Sequence, residues 1–209
     1  MIIDRQILAR MLRRTATLWL RDAQRLSEID SRFGDGDHGV TIGKMANLIN
    51  ARLDAWTGIG IKSFIDDLAT GITGIAGGSA GPLYGTFIEG LAIPLNAADT
   101  GIDAPMLKQM LASGLAELRD LTKARIGDKT MMDAIIPAVE AAQAAPDDIP
   151  DILNAAASAS ARGSGESGRF IAKFGRARSY GEKTVGTPDV GALSASLMFQ
   201  GLAEGLREI

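Results

Sequence analysis

Apolar residues recur at helical spacings from the first turns of the chain onward. Across residues 4–29 an inward-facing stripe repeats every three, four or seven positions, through Leu8, Leu12, Trp19, Ala23 and Leu26. Asp4 is a suitable N-terminal cap for this helix. Asp30 continues the stripe, and a carboxylate there is costly to bury unless a cation meets it. The end of the first helix is therefore the first indication of a site.

The same periodicity predicts further helices over residues 40–53, 61–75, 83–97, 104–121, 130–145, 149–162 and 190–207. Thr130 and Asp133 form a pattern of the capping-box type at one helix start. Pro82 is suited to opening the helix that follows its glycines. Because no run of alternating β-branched residues indicates a strand, we predict an all-α fold of seven to nine helices.

Residues 161–189 interrupt the helical pattern with a polar, glycine-rich stretch that has few apolar anchors. We expect a long loop here, with a short helix near residues 166–174, and loops of this length are often functional. Neither a sequence repeat nor a linker divides the chain. The prediction is a single domain over residues 1–209.

The composition excludes several classes of protein. Hydrophobic residues make up 46% of the chain, which argues against global disorder, and the net charge of −3 lacks the basic excess of a nucleic-acid binder. The absence of cysteine excludes disulfides and thiolate metal sites. No apolar run approaches the roughly 20 residues of a membrane span, and the N-terminus lacks the pattern of a signal peptide. We expect a cytoplasmic protein with neither nucleic acid nor a membrane as a direct partner.

The segment from Asp30 to Gly39 is the most informative part of the chain. Three carboxylates, Asp30, Asp35 and Asp37, lie close together in sequence among glycines, and they repel one another unless a cation is bound. Oxygen ligands without cysteine favour Mg²⁺ or Ca²⁺ over zinc, and Mg²⁺ commonly completes its shell with water and phosphate. We interpret this loop as a magnesium clamp for a nucleotide. His38, the one histidine, gains a candidate functional role beside it.

Three other motifs fit this segment less well. Residues 34–39 match the glycine spacing of a dinucleotide-binding loop, but a helix precedes them and carboxylates occupy the place of the pyrophosphate. A calcium loop starting at Asp35 would need Gly and Glu where Val40 and Ala46 stand. Residues 39–44 are one residue short of a P-loop. A solvated acidic turn remains the alternative, because Asp and Gly are ordinary turn residues.

Other segments carry candidate binding residues, and each has a plainer alternative. The glycine-dense turn at 77–86 opens a helix, where N–H groups bind phosphate well, unless it serves only close helix packing. Residues 127–133 form another helix start, for which a simple capping box is the alternative. Residues 175–183 supply arginines suited to phosphate oxygens, or else an exposed basic loop. The segment 189–191 opens the last helix.

Taken together, these segments resemble the DhaL family, the nucleotide-binding L subunits of dihydroxyacetone kinase. The resemblance covers nearly the whole chain, through Asp-x4-Asp-x-Asp-His-Gly from Asp30, GG-x-x-GPL-x-GT from Gly77, GDKTM-x-DA from Gly127, and GRA…GE…D-x-GA from Gly175. It implies an eight-helix up-and-down barrel with ADP or ATP at one end, over the loops.

The resemblance also implies roles for individual residues. Asp30, Asp35 and Asp37 would hold two Mg²⁺ ions. The residues near the nucleotide would be His38, Gly39, Thr41, Gly78, Ser79, Ala80, Met131, Arg176, Arg178, Asp189 and Gly191. No residue is identified as a catalytic group, because phosphoryl transfer needs positioning and charge neutralisation more than a protein nucleophile. His38 is the one candidate for such a role.

The chain departs from the family pattern at three places. Ser79-Ala80 stands where a hydroxyl usually directly precedes Gly-Pro, so a contact is lost or moved by one residue. Arg178 follows the GRA motif, which leaves open whether it or Arg176 meets phosphate. Val190 stands where the family pattern has proline in the turn at residues 189–191, and this replacement loosens the turn.

The resemblance implies that the ketose is bound on a separate K subunit, so that the chain is active only with this partner; a homodimer stays open. Two phosphate donors are considered. A separate chain without a K domain favours retained ADP, rephosphorylated by the M subunit, a phosphocarrier of the phosphotransferase system. The alternative is ATP that exchanges at each turnover in a dihydroxyacetone or tetrose kinase.

Two further alternatives concern other kinds of protein. An interaction module that reports nucleotide state to a regulator is compatible with the sequence. A nucleotide domain of the fatty-acid-kinase type is less consistent, because the position of His38 is usually Thr in that group.

Overall fold

The computed structural model describes residues 1–207, and α-helices carry the fold throughout this range. The eight α-helices of the described chain are α1 (Arg5–Asp30), α2 (His38–Asp54), α3 (Ile61–Thr73), α4 (Ala80–Ala92), α5 (Ala104–Leu121), α6 (Met132–Ala144), α7 (Ile149–Glu166) and α8 (Val190–Arg207). Two 3₁₀ helices, Ser167–Arg169 and Arg176–Thr184, lie between α7 and α8. The all-α prediction is confirmed.

One small element of sheet was not predicted. The strands β1 (Ile3–Asp4) and β2 (Gly101–Ile102) pair antiparallel, with Ile3 opposite Ile102 and Asp4 opposite Gly101. This two-residue ladder ties the start of α1 to the connection between α4 and α5. It is too short to show as an alternating pattern in the sequence.

The helices form a closed up-and-down ring. Each helix contacts the next one in sequence, and α8 packs against α1. Short connections between helices make sequence neighbours antiparallel. The connections α1–α2, α3–α4, α5–α6 and α7–α8 therefore meet at one end, while the β ladder lies at the other end. The interior is filled by fully buried aromatic side chains, Trp19, Phe64, Tyr84, Phe87 and Phe199.

The first helix shows how the sequence pattern becomes packing. The Asp4 carboxylate accepts a hydrogen bond from Ile7 N at 2.9 Å, which confirms the predicted N-cap. Leu12 and Ala23 of the predicted stripe are half-buried, and Leu12 packs against the core from its edge. The buried side chains of α1 are Leu8, Met11, Thr15, Ala16, Leu18, Trp19 and Leu26. The buried residues of α1 cover more than one face of the helix because α1 packs against both α2 and α8.

Two predicted boundaries of α4 were wrong. The helix begins at Ala80, so Pro82 lies inside its first turn, where its missing N–H costs no helical hydrogen bond. It ends at Ala92 rather than residue 97. Pro94 explains this early end, because a proline has no backbone N–H to donate to the carbonyl four residues before it and so cannot continue the helical hydrogen bonds.

The predicted loop at 161–189 is shorter than expected and more ordered. Helix α7 continues to Glu166, and the predicted short helix near 166–174 is replaced by the two 3₁₀ segments.

The predicted capping pattern at α6 is present, because the Asp133 carboxylate accepts hydrogen bonds from Thr130 N at 2.7 Å and Gly127 N at 2.6 Å. Among residues 1–207, no helix combines the length and apolar character needed to cross a bilayer.

Candidate metal and nucleotide site

A cleft of about 590 Å³ opens at the end of the ring where the four connections meet. Segments from all four connections line it, so residues far apart in sequence share one site. Most of the predicted site residues line this cleft: Asp30, Asp35, Asp37, His38, Thr41, Gly78, Ser79, Ala80, Met131, Arg176, Asp189 and Gly191. Two predicted residues, Gly39 and Arg178, do not line it.

The three carboxylates of residues 30–39, which we call the acidic loop, converge as their spacing in the sequence predicts. Oxygen atoms of Asp30, Asp35 and Asp37 lie within 4.8 Å of one another. Burial raises the pKa of Asp37, and the charges of Asp35 and Asp30 raise it further, against the opposing charge of Arg176. A set of carboxylate oxygens without nitrogen or sulfur donors fits Mg²⁺ in its chemistry.

The glycines of the acidic loop are needed for this convergence. A Cβ atom at Gly34 would lie 2.3 Å from Asp30 Oδ1, so a larger residue would displace the first carboxylate. Gly36 has a φ of +76°, which side chains other than glycine rarely adopt. The loop therefore folds back on the end of α1 because these two positions carry no side chain.

Arg176 is the arginine that the structure brings to the cleft. Its guanidinium pairs with the Asp35 carboxylate at 2.7 Å. Arg178 is exposed and does not line the cleft. Of the two candidates left open by the sequence, Arg176 is the one that lines the cleft beside the carboxylates, and its contact with phosphate stays a prediction.

His38 is held by a chain of hydrogen bonds that crosses three helices. Ser194 Oγ lies 2.9 Å from His38 Nε2, 2.8 Å from the Tyr84 hydroxyl and 3.0 Å from the Gly191 carbonyl. Since a carbonyl only accepts and a hydroxyl has one proton, Ser194 donates to Gly191 and accepts from the other two. His38 therefore carries its proton on Nε2. Burial lowers the pKa of His38 to about 4, against the charge of Asp30, so the ring is neutral at neutral pH.

Gly39 and Thr41 lie at close contacts between backbone segments. A Cβ atom at Gly39 would lie 1.8 Å from Ala23 O, so this glycine lets the start of α2 press against α1. A Cβ atom at Gly77 would lie 2.4 Å from Thr41 Oγ1, so the α3–α4 turn rests directly on α2. Gly39 therefore has a packing role, and its predicted place near the phosphates stays a prediction.

The turn before α4 presents backbone groups to the cleft. Gly78 has a φ of +50°. A Cβ atom added at Gly78 would lie 3.9 Å from Asp37 Oδ1, so this turn is close to the carboxylates. Ser79 makes no side-chain hydrogen bond that caps α4. Gly78, Ser79 and Ala80 line the cleft at this helix start, where N–H groups that Ser79 does not cap suit an anion beside the carboxylates.

The opposite wall of the cleft is formed by Met131 and the start of α8. Met131 is buried, and Gly191 approaches it closely, since a Cβ atom there would lie 3.4 Å from Met131 Cβ. The Asp189 carboxylate accepts a hydrogen bond from Ala192 N at 2.8 Å and caps α8. Burial raises the pKa of Asp189 to about 7, although that hydrogen bond opposes the rise.

Sequence reasoning missed three side chains that organise the site. Tyr84 and Ser194 fall on helical stripes, and nothing in the sequence distinguishes them from ordinary core positions. Lys129 lies within the GDKTM motif and lines the cleft, but a lysine at a helix start gives no signal of burial. Their hydrogen-bond partners are distant in sequence, so only the packed ring brings them together.

Known proteins are similar to this chain over most of its length. The family model described as the DAK2 domain matches residues 32–204. The ADP-binding subunit DhaL of PEP-dependent dihydroxyacetone kinase 2 from Listeria innocua is 30% identical, covering 100% of this chain and 98% of its own length. The L-erythrulose 1-kinase of Mycolicibacterium smegmatis is 32% identical over 87% of this chain, which spans only 32% of that protein.

A solved structure has the same architecture. The crystal structure of the dihydroxyacetone kinase from C. freundii in complex with AMP-PNP and Mg²⁺ matches 94% of this chain with a TM-score of 0.72 and 25% sequence identity. This chain spans 33% of that longer protein.

Proposed function

The chain belongs to the DAK2 domain family, and from this membership we propose that it is the ADP- or ATP-binding subunit of a kinase for dihydroxyacetone or another small ketose. In this proposal residues 1–209 form one nucleotide-binding domain, and the ketose is held by a separate K subunit. The observation that carries the proposal is the carboxylate triad, whose oxygens lie within 4.8 Å of one another in the cleft.

The residues of the cleft fit a magnesium nucleotide. Asp30, Asp35 and Asp37 would hold two Mg²⁺ ions, which would neutralise the negative charge of the phosphate groups. The N–H groups at the start of α4 would bind phosphate oxygens next to them. Arg176 would exchange its contact with Asp35 for a phosphate oxygen, because a guanidinium binds both kinds of anion.

No protein nucleophile is part of the proposal. The transferred group passes between two bound oxygens, so the protein contributes alignment and charge. His38 is neutral and its Nε2 proton is directed to Ser194, which leaves Nδ1 as an acceptor. We propose that it orients the acidic loop and its bound ligand rather than transferring a proton.

Exposed apolar side chains at this end of the ring are suited to the docking of a partner protein. Six exposed apolar side chains lie at the end of α5 and on the α5–α6 and α7–α8 connections, namely Leu121, Ile126, Ile171, Phe174, Tyr180 and Val185, and of these Leu121 and Phe174 line the cleft. Exposed apolar residues around a polar site are typical of a protein interface. We propose that the K subunit covers this end of the ring, which would bring its ketose to the phosphate end of the nucleotide.

Two phosphate donors remain, and each has a relative in its favour. We favour ADP that stays bound and is rephosphorylated by a phosphocarrier M subunit, since the Listeria relative is named as PEP-dependent and matches end to end. ATP that exchanges in a tetrose or dihydroxyacetone kinase is the alternative, supported by the similarity to an L-erythrulose kinase. The predicted cytoplasmic location agrees with either donor.

The first experiment is thermal unfolding of nucleotide-free protein against ADP concentration, with and without Mg²⁺. A ligand that binds only the native state adds about 2.7 kcal/mol at a hundredfold excess over its Kd. We expect a rise in Tm that requires Mg²⁺. The absence of any rise would reject the nucleotide proposal and favour an interaction module.

The dissociation rate of ADP then separates the two donors. Retained ADP should stay bound for longer than a catalytic cycle, so a chase with unlabelled ADP should release labelled ADP slowly. Release within seconds, together with turnover supported by free ATP and the K subunit, would reject the retained-cofactor form in favour of the exchanging one.

A further inference from the structure

Lys129 is a buried cation whose partners are backbone carbonyls. Its ammonium donates hydrogen bonds to Ser167 O at 2.8 Å and to Thr187 O at 2.5 Å, and its side chain is almost fully buried. It has a φ of +60°, and within residues 1–207 no other non-glycine residue has a positive φ. Burial lowers the pKa of Lys129, while the charges of Asp189 and Asp133 oppose that shift. A buried charge in a strained backbone conformation calls for a specific role.

The two carbonyls lie at the two ends of the segment between α7 and α8. We call residues 167–187 the cleft loop. One ammonium joins both ends of this loop, because an ammonium has three donors that can be shared between separate acceptors. A backbone hydrogen bond from Gly186 N to Gly168 O at 2.8 Å lies beside this junction. The base of the loop is therefore closed by Lys129, by this backbone pair and by a hydrogen bond from Asp189 N to Ser167 Oγ at 2.9 Å.

The far part of the cleft loop reaches the acidic loop. Arg176 contacts Asp35 at 2.7 Å, and the ring of Tyr180 packs edge to face on Phe33 with centroids 5.3 Å apart. Most of the residues between the base and these contacts are exposed. The loop is also held to the α5–α6 connection, because Lys173 N donates to Asp128 O at 3.1 Å and Lys173 Nζ pairs with the Asp128 carboxylate at 2.7 Å. Little burial supports the loop, so its position depends on these polar and aromatic contacts together with its base.

We propose that Lys129 is a positioning residue, which closes the base of the cleft loop and thereby holds Arg176 over the carboxylate triad. The nucleotide part of this inference rests on the proposed function, whereas the loop part does not. Lys129 also fixes Thr187, two residues before Asp189, so the same contact orders the wall formed by the start of α8. Loss of the ammonium should loosen the loop and leave the helical ring intact.

Hydrogen exchange of the full chain without nucleotide tests the loop part. The variants are Lys129→Met, which keeps the aliphatic stem, and Lys129→Gly, which accepts the positive φ without strain. The control is Lys123→Met, because Lys123 is an exposed lysine of the same connection. Losing two hydrogen bonds to a charged group should speed exchange of amides in residues 168–187 by about tenfold or more in both variants. Amides in the middle of α1 and α8 should keep their protection.

ADP dissociation tests the nucleotide part. With Mg²⁺ present, both Lys129 variants should release ADP about tenfold faster than Lys123→Met, because the loop no longer closes over the ligand. Faster release without faster exchange in the cleft loop would overturn the proposal in favour of a direct contact between Lys129 and the nucleotide. Unchanged exchange and unchanged release would also overturn it.

Failure of the proposed function gives a different result. If the unaltered chain binds no ADP while the Lys129 variants still loosen the loop, the anchor exists but the ligand assignment is wrong. If Lys129→Met does not fold, Lys129→Gly carries the test. Exchange that accelerates equally in every helix of both variants would show a general loss of stability, and it would reject a positioning role.

Discussion

Three carboxylates held within 4.8 Å of one another repel strongly, and Arg176 offsets only part of this repulsion by pairing with Asp35. The pKa of Asp37 is raised in this surrounding, first by burial and then by its two acidic neighbours. Such a cluster costs stability unless a cation binds it. The cluster is therefore the place where single substitutions should separate ligand binding from folding.

We expect Asp37→Asn to abolish the Mg²⁺-dependent stabilisation by ADP. The amide keeps the size of the side chain but removes a charged ligand and some repulsion, so Tm without ligand should stay equal or rise slightly. Asp120→Asn, at an exposed acid near the end of α5, is the matched control and should bind as the unaltered chain does. Titration with ADP and Mg²⁺ by calorimetry measures both. Wild-type affinity in Asp37→Asn would remove the basis for the metal assignment.

The buried carboxyl of Asp189 should make stability depend on pH. Its pKa of about 7 lies above the value of 3.8 for an exposed carboxyl, so the folded chain binds the proton more tightly than the unfolded chain does. Its contribution to stability is therefore present below about pH 4 and is lost as pH rises towards 7, on the order of 1 kcal/mol per pH unit.

Asp189→Asn should remove this dependence, because the asparagine amide does not ionise. The helix cap should be kept, since asparagine also caps helices. Urea unfolding at several pH values between 4.5 and 7.5 gives the free energy of unfolding of both chains. The difference between the variant and the unaltered chain should grow in favour of the variant as pH rises. A constant difference would mean that Asp189 titrates normally.

Glycines set how closely the helices of the ring approach one another. Gly201 and Gly205 on α8 lie against α1, where added Cβ atoms would meet Thr15 Cα at 2.4 Å and Met11 Cα at 2.5 Å. Gly39 does the same between α2 and α1. Because the acidic loop joins α1 to α2, the distance between these two helices fixes where the carboxylates lie.

Helix α2 offers a matched pair of substitutions for this argument. Gly39→Ala should destabilise the chain by about 1–3 kcal/mol or more, because its Cβ would overlap Ala23 O. Gly43→Ala, one turn later, meets nothing within 4 Å and should stabilise by up to about 1 kcal/mol through helix propensity. Urea unfolding compares the two. Equal effects at both positions would contradict a close-packing role for Gly39.

The up-and-down ring gathers its functional connections at one end because neighbouring helices run antiparallel. Four connections line the cleft there, and the exposed apolar side chains of Leu121 and Phe174 are among its lining residues. The polar groups of the cleft suit phosphates and magnesium, and no group suited to a ketose is evident among its lining residues. Under the proposed function, the ketose is delivered by a K subunit that docks over the rim of the cleft.

We expect the purified chain to phosphorylate no ketose by itself. With ATP, Mg²⁺ and dihydroxyacetone present, no product should form without a ketose-binding K subunit. Under the retained-ADP form, turnover also requires the phosphorylated M subunit. Phosphate transfer followed by mass spectrometry measures this directly, and binding of ADP in the same sample shows that the chain is active as a ligand binder. Product formed without a partner would place the ketose site on this chain.

The helices and the acidic loop were predictable because their signals are local. A helical stripe repeats within a few residues, and the Asp30, Asp35 and Asp37 cluster is close in sequence, so repulsion among its members follows from spacing alone. The early end of α4 was also signalled locally by Pro94, although the apolar period obscured it.

The packed ring, by contrast, assigns roles that depend on distant partners. Ser194 meets His38 and Tyr84 across long stretches of sequence, and Lys129 joins the two ends of a loop that lies far along the chain. The separation of Arg176 from Arg178, and the packing role of Gly39, likewise follow from which helix faces are opposed. Periodicity tells which face of a helix is apolar but carries no information on the residue across from it, and for that reason these roles exist only in the folded chain.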